Sequence, residues 1–275
     1  MNSTDAPCPA VITAAGHATR FAPFSRYCAK EMLPLGCEPA LGHVIGECLA
    51  AGADPVYVIT RPDDTQVGAY CADLHRRGLP VTAIPEDTSH GYGNAAGLLT
   101  VADRLREHDT FLVAFGDDLL LTDTPGRDLA TMRCHAQDTG ASVIAAQLVP
   151  HHDIGGFGVL DTTGPGTDRV IGIRQRPHPD TVAEPLALVS RLALHPDILT
   201  LLRPRKDARD EIDLGLAADE LSRVTPVEAH RLRAKWVTVG APEQFHHALN
   251  AYWAQPAEHR DAATAPLHPA KDTTC

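Results

Sequence analysis

Pro9-Ala10-Val11-Ile12-Thr13-Ala14-Ala15, followed by Gly16-His17-Ala18-Thr19-Arg20 and, after Pro23 and Ser25-Arg26, by Ala29-Lys30-Glu31-Met32-Leu33-Pro34, is the stretch on which the fold turns. An apolar run closed by glycine reads as a strand buried on both faces. A loop of small residues with three cations, Arg20, Arg26 and Lys30, follows it. Small residues let backbone N–H groups approach a phosphate closely, and the cations neutralise it. The spacing fits neither the P-loop GxxxxGK[ST] nor the dinucleotide GxGxxG. Taken alone, the loop could equally be a solvated basic surface.

Outward from this strand, the pattern alternates. Helical periodicity over about 41–51, strand Val56 to Thr60, a helix capped by Asp63-Asp64 and running to about Arg77, and strand Val81 to Ile84 come next. A Gly-containing loop at 89–94, a helix ending near Arg106, strand Thr110 to Phe115, a helix over about 127–138 and strand Ala141 to Leu148 complete the first half. Alternation of this kind predicts an α/β fold with a Rossmann-like, mostly parallel sheet and helices on both faces. Ligands then gather at the carboxyl ends of the strands, so the loops after Ala15, Ile84 and Phe115 should share one rim. The second half reads as a hairpin around Gly164-Pro165-Gly166, a strand Leu186 to Leu194, a helix around 212–223, two short strands and a helix over about 242–254. The expected organisation is a loose tail at 1–8, one domain at 9–254 (a nucleotide-binding half 9–150 and a small β-rich half 151–254), and a disordered polar tail at 255–275.

Composition narrows the classes. A net charge of −11 argues against nucleic acid or an anionic membrane as partner, although a local cation cluster can still hold a small phosphate ligand. No apolar run is long enough to span a bilayer, and no secretory pattern opens the chain. The seven cysteines are scattered without zinc spacing, as expected of free thiols in a reducing cytoplasm. The pairs His151-His152 and His246-His247 lack a third ligand at sensible spacing.

Residues 9–34 resemble the signature of sugar-1-phosphate nucleotidylyltransferases, in the form found in bacterial UTP–glucose-1-phosphate uridylyltransferases. Ala15-Gly16, Thr19-Arg20, Pro23 and Lys30-Glu31-Met32-Leu33-Pro34 match, while Ala18 replaces the second glycine of the signature. The resemblance runs on through Gly91-Tyr92-Gly93-Asn94-Ala95, Phe115-Gly116-Asp117, Phe157-Gly158-Val159, Gln175-Arg176-Pro177, Val189-Ser190-Arg191, Asp210-Glu211-Ile212 and Val239-Gly240-Ala241-Pro242-Glu243. It implies the nucleotide-diphospho-sugar transferase fold and a Mg²⁺-dependent reaction in which a sugar 1-phosphate oxygen attacks the α-phosphorus of a nucleoside triphosphate and pyrophosphate leaves. By the resemblance Arg20, Lys30 and Arg176 are the catalytic cations. Ala14, Ala15, Gly16, His17, Ala18, Thr19, Glu86, Gly91 and Asp117 would hold the nucleotide. Gly158, Gln175, Val189, Ser190 and Asp118 would meet the sugar. Asp117 and Thr238 would form the metal site, and a homo-oligomer is expected by analogy.

Three departures qualify the expected substrate. Thr238 stands where the family has a second metal-binding aspartate, so Asp118 or substrate oxygens would have to compensate. Gln175 replaces a glutamate, and an amide bonds a sugar hydroxyl without charge assistance. Glu86 stands where the family reads uracil with glutamine. A carboxylate is repelled by the uracil oxygens but accepts two bonds from guanine or one from the amine of cytosine or adenine. The expected activity is nucleotidyl transfer to a sugar or sugar-like phosphate. A weakened nucleotide-binding or regulatory relative, and transfer to a non-sugar phosphate or phosphonate, are the alternatives.

Overall fold

The computed structural model describes residues 7–204 and 210–268. Of the loose tail expected at 1–8, residues 1–6 lie outside the described residues, as do 205–209 and 269–275, whereas Cys8 is buried and its thiol donates to the Thr110 carbonyl, which corrects the expectation there. In chain order the elements are β1 (Ala10–Ala14), β2 (Pro34–Leu35), β3 (Glu38–Pro39), α1 (Ala40–Ala50), β4 (Val56–Thr60), α2 (Gln66–Arg76), β5 (Val81–Pro85), α3 (Ala96–Thr100), α4 (Ala102–Leu105), β6 (Phe111–Phe115), β7 (Asp118–Leu121), α5 (Arg127–Thr139), β8 (Ser142–Leu148), β9 (Gly158–Thr162), β10 (Val170–Gln175), β11 (Leu186–Leu194), α6 (Leu214–Ser222), β12 (Val227–Arg231), β13 (Lys235–Thr238), α7 (Pro242–Trp253) and α8 (Ala257–Thr264).

The apolar run that opens the chain becomes the middle of the sheet. β1 lies parallel between β4 and β6, with Ile12 opposite Val58 and Ala114. Strand side chains alternate between faces, and both faces are covered. Val11, Ile59 and Val113 pack with Leu98 of α3, Leu105 of α4 and Leu221 of α6. Ile12, Val58 and Leu112 pack on the opposite side with Leu41, Val44, Ile45 and Cys48 of α1, Val67, Cys71 and Leu74 of α2, and Met132 of α5. The i, i+3, i+4, i+7 spacing of the α1 residues turns one helix stripe onto the sheet. Each such side chain contributes roughly 1.5–3 kcal/mol on full burial.

The sheet has nine strands, with β10-β9-β11-β6-β1-β4-β5 as its path and β8 and β12 joined at β11. β5 extends the parallel part beside β4, whereas β11 runs antiparallel to β6, β8 and β9. The two expected halves thus share one sheet, because β11 of the second pairs with β6 of the first. The α/β fold with helices on both faces is as expected from the sequence.

Two elements differ from expectation. The strand ending at Phe115 turns over only two residues and resumes as β7, which pairs antiparallel with β13 so that Asp118 faces Thr238. This ribbon supplies Leu119, Leu121 and Val237 to a third core with Ala248 and Tyr252 of α7. The expectation of disorder over 255–275 is corrected as far as residue 268. Leu267 is fully buried, the Arg77 guanidinium donates to its carbonyl, and Arg260 lies 4.9 Å from the Trp253 ring centre. A polar composition concealed one apolar anchor and two cation contacts. Gly46 makes room for this segment, since a Cβ there would come within 2.9 Å of the Ala263 carbonyl oxygen. Among the described residues no helix is long and apolar enough to cross a membrane.

Candidate active site

The carboxyl ends of β1, β4, β5 and β6 open into a cleft of about 410 Å³, within the range of ligand sites. Ala15, Gly16, His17, Ala18, Thr19, Arg20, Lys30, Glu86 and Asp117, all singled out in the sequence, line it. Ala14 does not line it and is buried at the end of β1.

Lys30 and Asp117 meet across the loops after β1 and β6. The Lys30 Nζ donates to Asp117 Oδ2 and lies 3.7 Å from Glu31 Oε1. Burial alone would lower the pKa of this lysine, but Asp117 and Glu31 outweigh it and raise it, so the ammonium is secured. Glu31 is 2% exposed and its Oε2 has no hydrogen-bond partner among the described residues. Burial pushes its carboxyl up to about 7 against the opposing pull of Lys30. Arg20 is exposed and makes no ion pair among the described residues, leaving its guanidinium available to an anion.

Ala18 sits at φ 49° and ψ 41°, the left-handed region that glycine occupies freely. An alanine there costs about 1 kcal/mol and is held by the hydrogen bond from Phe21 N–H to its carbonyl. The backbone therefore keeps the conformation expected of a glycine cradle although the residue has changed.

Thr238, expected at the metal site, lies behind Asp117 and not on the cleft lining, and its hydroxyl is already engaged. Its hydroxyl donates to the Asp117 carbonyl at 3.2 Å and accepts from Gly240 N–H at 3.2 Å. Asp118 does not compensate, because its side chain points into the protein, where Ser190 Oγ donates to Oδ2. Burial, followed by the neighbouring Asp117 charge, raises the Asp118 carboxyl above the usual range. Among the described residues no group of three or more His, Cys, Asp or Glu could hold a metal ion. One carboxylate at a phosphate site still fits Mg²⁺, which takes one or two carboxylates and completes its shell with phosphate oxygens and water. Asp117, 16% exposed on this wall, is the residue that would hold it.

The structure corrects part of the expected sugar site. Val189 and Ser190 are buried in β11 and Asp118 in β7, none of them on the cleft wall. Their segment is scaffolding: fully buried Arg191 makes a two-pronged ion pair with Glu47 of α1 at 3.0 and 2.8 Å, and donates to the Asp118 carbonyl at 2.8 Å. An arginine next to a candidate contact residue signals such a role only once its burial is known. Gly91 is corrected too. It packs toward Ile212 and Pro204, and it is Gly93, at φ 142°, that lines the cleft. A Cβ on Gly93 would collide with the Ile212 backbone.

Gly158 and Gln175 face each other on β9 and β10. The Gln175 amide lies over Gly215 at the start of α6, beside Asp213. Asp213 in turn accepts from Asn94 Nδ2 at 2.9 Å, and Asn94 lines the cleft. Arg176 is exposed at φ 47° and lies outside the cleft lining. Glu31, Tyr92, Asn94 and Glu211 line the cleft but were missed as site residues, although all four stood inside the quoted motifs.

Similarity to known proteins agrees with this geometry. A family model described as nucleotidyl transferase matches residues 9–255. The UTP–glucose-1-phosphate uridylyltransferase of Streptococcus pyogenes is 28% identical over 255 residues, covering 84% of each chain. That of Streptococcus pneumoniae serotype 4 is 28% identical over 257 residues, covering 84% of this chain and 85% of its own. Among solved structures, a UTP-bound UGPase from Acinetobacter baumannii superposes with a TM-score of 0.79 at 22% identity, covering 96% of this chain and 100% of that one. A UDP-glucose pyrophosphorylase complexed with UDP-glucose gives 0.75 at 23% identity, covering 90% and 99%. At these identities the structures speak for the fold.

Proposed function

Since the chain belongs to the nucleotidyl transferase family and is a nucleotidyltransferase, we propose that it couples a nucleoside triphosphate to a sugar 1-phosphate, or a sugar-like phosphate, to give a nucleotide sugar and pyrophosphate. The observation that carries this reading is the Lys30–Asp117 pair at the strand ends, with Arg20, which has no ion pair among the described residues, on the same cleft wall. A phosphate oxygen of the acceptor attacks the α-phosphorus in line, a new P–O bond forms, and the bond to the departing pyrophosphate breaks. Such a step needs positioning and charge neutralisation rather than a covalent intermediate. Lys30 holds the α-phosphate, Arg20 the β- and γ-phosphates, and exposed Arg176 steers the acceptor. Asp117 would hold Mg²⁺, which would supply further neutralisation of the phosphate charge. On the same reading the protein is a cytoplasmic homo-oligomer.

Uridylyl transfer to glucose 1-phosphate belongs to the relatives, and Gln175 leaves the acceptor of this chain open to a modified sugar or cyclitol phosphate. A second reading, a weakened nucleotide-binding relative, draws on Thr238, whose hydroxyl is spent on the backbone. Pyrophosphate release from nucleoside triphosphates with Mg²⁺ across a panel of sugar 1-phosphates separates the two. Release abolished in Lys30→Ala and Asp117→Ala upholds the transferase. Silence across the panel with retained nucleotide binding upholds the second reading.

A further inference from the structure

The cleft has an internal direction set by the sheet. Along the path β6-β1-β4-β5, Asp117 follows β6, the cationic loop follows β1 and Glu86 follows β5. Three strand spacings of about 4.8 Å place Glu86 roughly 14 Å from the Asp117 end. Phosphates belong at the Lys30 and Arg20 end, so whatever is joined to them by a ribose extends toward Glu86.

Glu86 is unlike a surface glutamate. It is half-buried and lines the cleft, and its carboxylate has no hydrogen bond or ion pair among the described residues. The carboxylate hangs over Gly97, where a Cβ would lie 3.4 Å from Oε1 and 2.9 Å from the Ile59 side chain. The missing side chain lets Ile59 close on the Gly97 backbone, with the Glu86 carboxylate beside it on the cleft lining. His17 and Tyr92, nearly parallel at 21° with centres 6.3 Å apart, line the same cleft. The cleft thus offers two aromatic rings and, beyond β5, a carboxylate with no partner among the described residues; Glu31, Asp117 and Glu211 are the other carboxylates of its lining.

A carboxylate has two oxygens that accept and nothing to donate. Uracil and thymine offer one N–H between two carbonyl oxygens, which would face the carboxylate with like charge. Cytosine and adenine offer an amine beside an unprotonated ring nitrogen, so one carboxylate oxygen meets another acceptor. Guanine alone presents two adjacent donors, N1–H and N2–H, which match the two oxygens. Paired, charge-assisted bonds of this kind are strong and geometrically selective.

We infer that the cleft selects guanine nucleotides, with Glu86 as the specificity-determining residue that accepts from N1–H and N2–H. The inference rests on reading the cleft as a nucleoside triphosphate site. Calorimetric titration of the full chain with Mg²⁺ and GTP, UTP, CTP or ATP, without acceptor, tests it, because binding is read apart from turnover. GTP is expected to bind tightest. Glu86→Gln, at a half-exposed position that leaves the fold intact by circular dichroism, should weaken GTP by about 10–100-fold while UTP holds or gains. Tightest binding of UTP, CTP or ATP, or a GTP preference unmoved by Glu86→Gln, overturns the inference while leaving the transferase reading in place. Binding of none of the four removes the nucleotide reading of the cleft and the inference with it.

Discussion

Replacing Arg191 by methionine tests whether the segment next to Ser190 is scaffolding. The substitution keeps most of the apolar volume but removes a guanidinium with no exposed surface. It abolishes the 3.0 and 2.8 Å bonds to Glu47 and those to the Ser190 and Asp118 carbonyls at 3.0 and 2.8 Å. The Glu47 side chain, 8% exposed, is left as a buried charge without its partner. Breaking a buried pair in this way costs about 3–5 kcal/mol. A ceiling on the carboxylate's share follows from the alternative of taking up a proton. Neutralising an ordinary glutamate at pH 7 costs about 1.36 kcal/mol per unit over roughly 2.7 units, or about 3.7 kcal/mol. The expected loss is thus about 4 kcal/mol at pH 7, a large part of the stability of a typical domain. Because the escape is protonation, the deficit should shrink by about 1.4 kcal/mol on going to pH 6. Urea unfolding at 25 °C at the two pH values measures this. The double variant Glu47→Leu/Arg191→Met should recover most of the loss, since no lone charge remains. A loss below about 1 kcal/mol at pH 7, or a double variant no better than the single, would refute the reasoning.

Other expectations follow from particular contacts. Lys30→Ala and Asp117→Ala should each lower pyrophosphate release by about 100-fold or more, because a group that neutralises charge at the reacting phosphate is removed; a change under fivefold counts against their placement. Gly93→Ala, whose Cβ meets the Ile212 backbone, should cost more than about 2 kcal/mol and lower the melting temperature, whereas Gly68→Ala on α2, where nothing lies within 4 Å, should stabilise by about 0.5–1 kcal/mol. Glu31 has a folded-state pKa raised to about 7, above its ordinary value of 4.5. Its contribution is therefore complete at low pH and lost as pH rises toward 7, and Glu31→Gln should gain on the wild type by up to about 1.4 kcal/mol per pH unit across that window. Equal pH slopes for the two proteins in urea unfolding would dismiss this account. Leu267→Ala should cost about 2–4 kcal/mol, checked by thermal melting, because the side chain is fully buried against α1.

The legible part of the fold was the part governed by local patterning. Val56–Thr60 and Leu186–Leu194 are strands at the residues read from the sequence, because a continuous apolar run between turn residues has few other uses. β7 escaped notice because Gly116-Asp117 reads as the end of a strand. Its continuation is stabilised by β13, more than a hundred residues away, which no local window contains. The cleft wall was legible where it is a contiguous run, from Ala15 to Arg20. It was not legible at Val189 and Ser190, where resemblance named the segment but only burial shows which side chains face inward. Gly91 and Gly93 stand two residues apart in one motif, and the approach of Ile212 separates their roles.

Gly36, at φ 72°, has Tyr252 packed on it so tightly that a Cβ there would run into the phenol ring. Tyr252 in turn has Arg260 of α8 5.9 Å from its ring centre. Gly36 lies six residues beyond Lys30, so the end of the chain braces the loop that carries the central cation. The family match stops at residue 255, just before α8. The residue packed on Gly36, Tyr252, is thus inside the matched span, and α8 reaches that contact through Arg260.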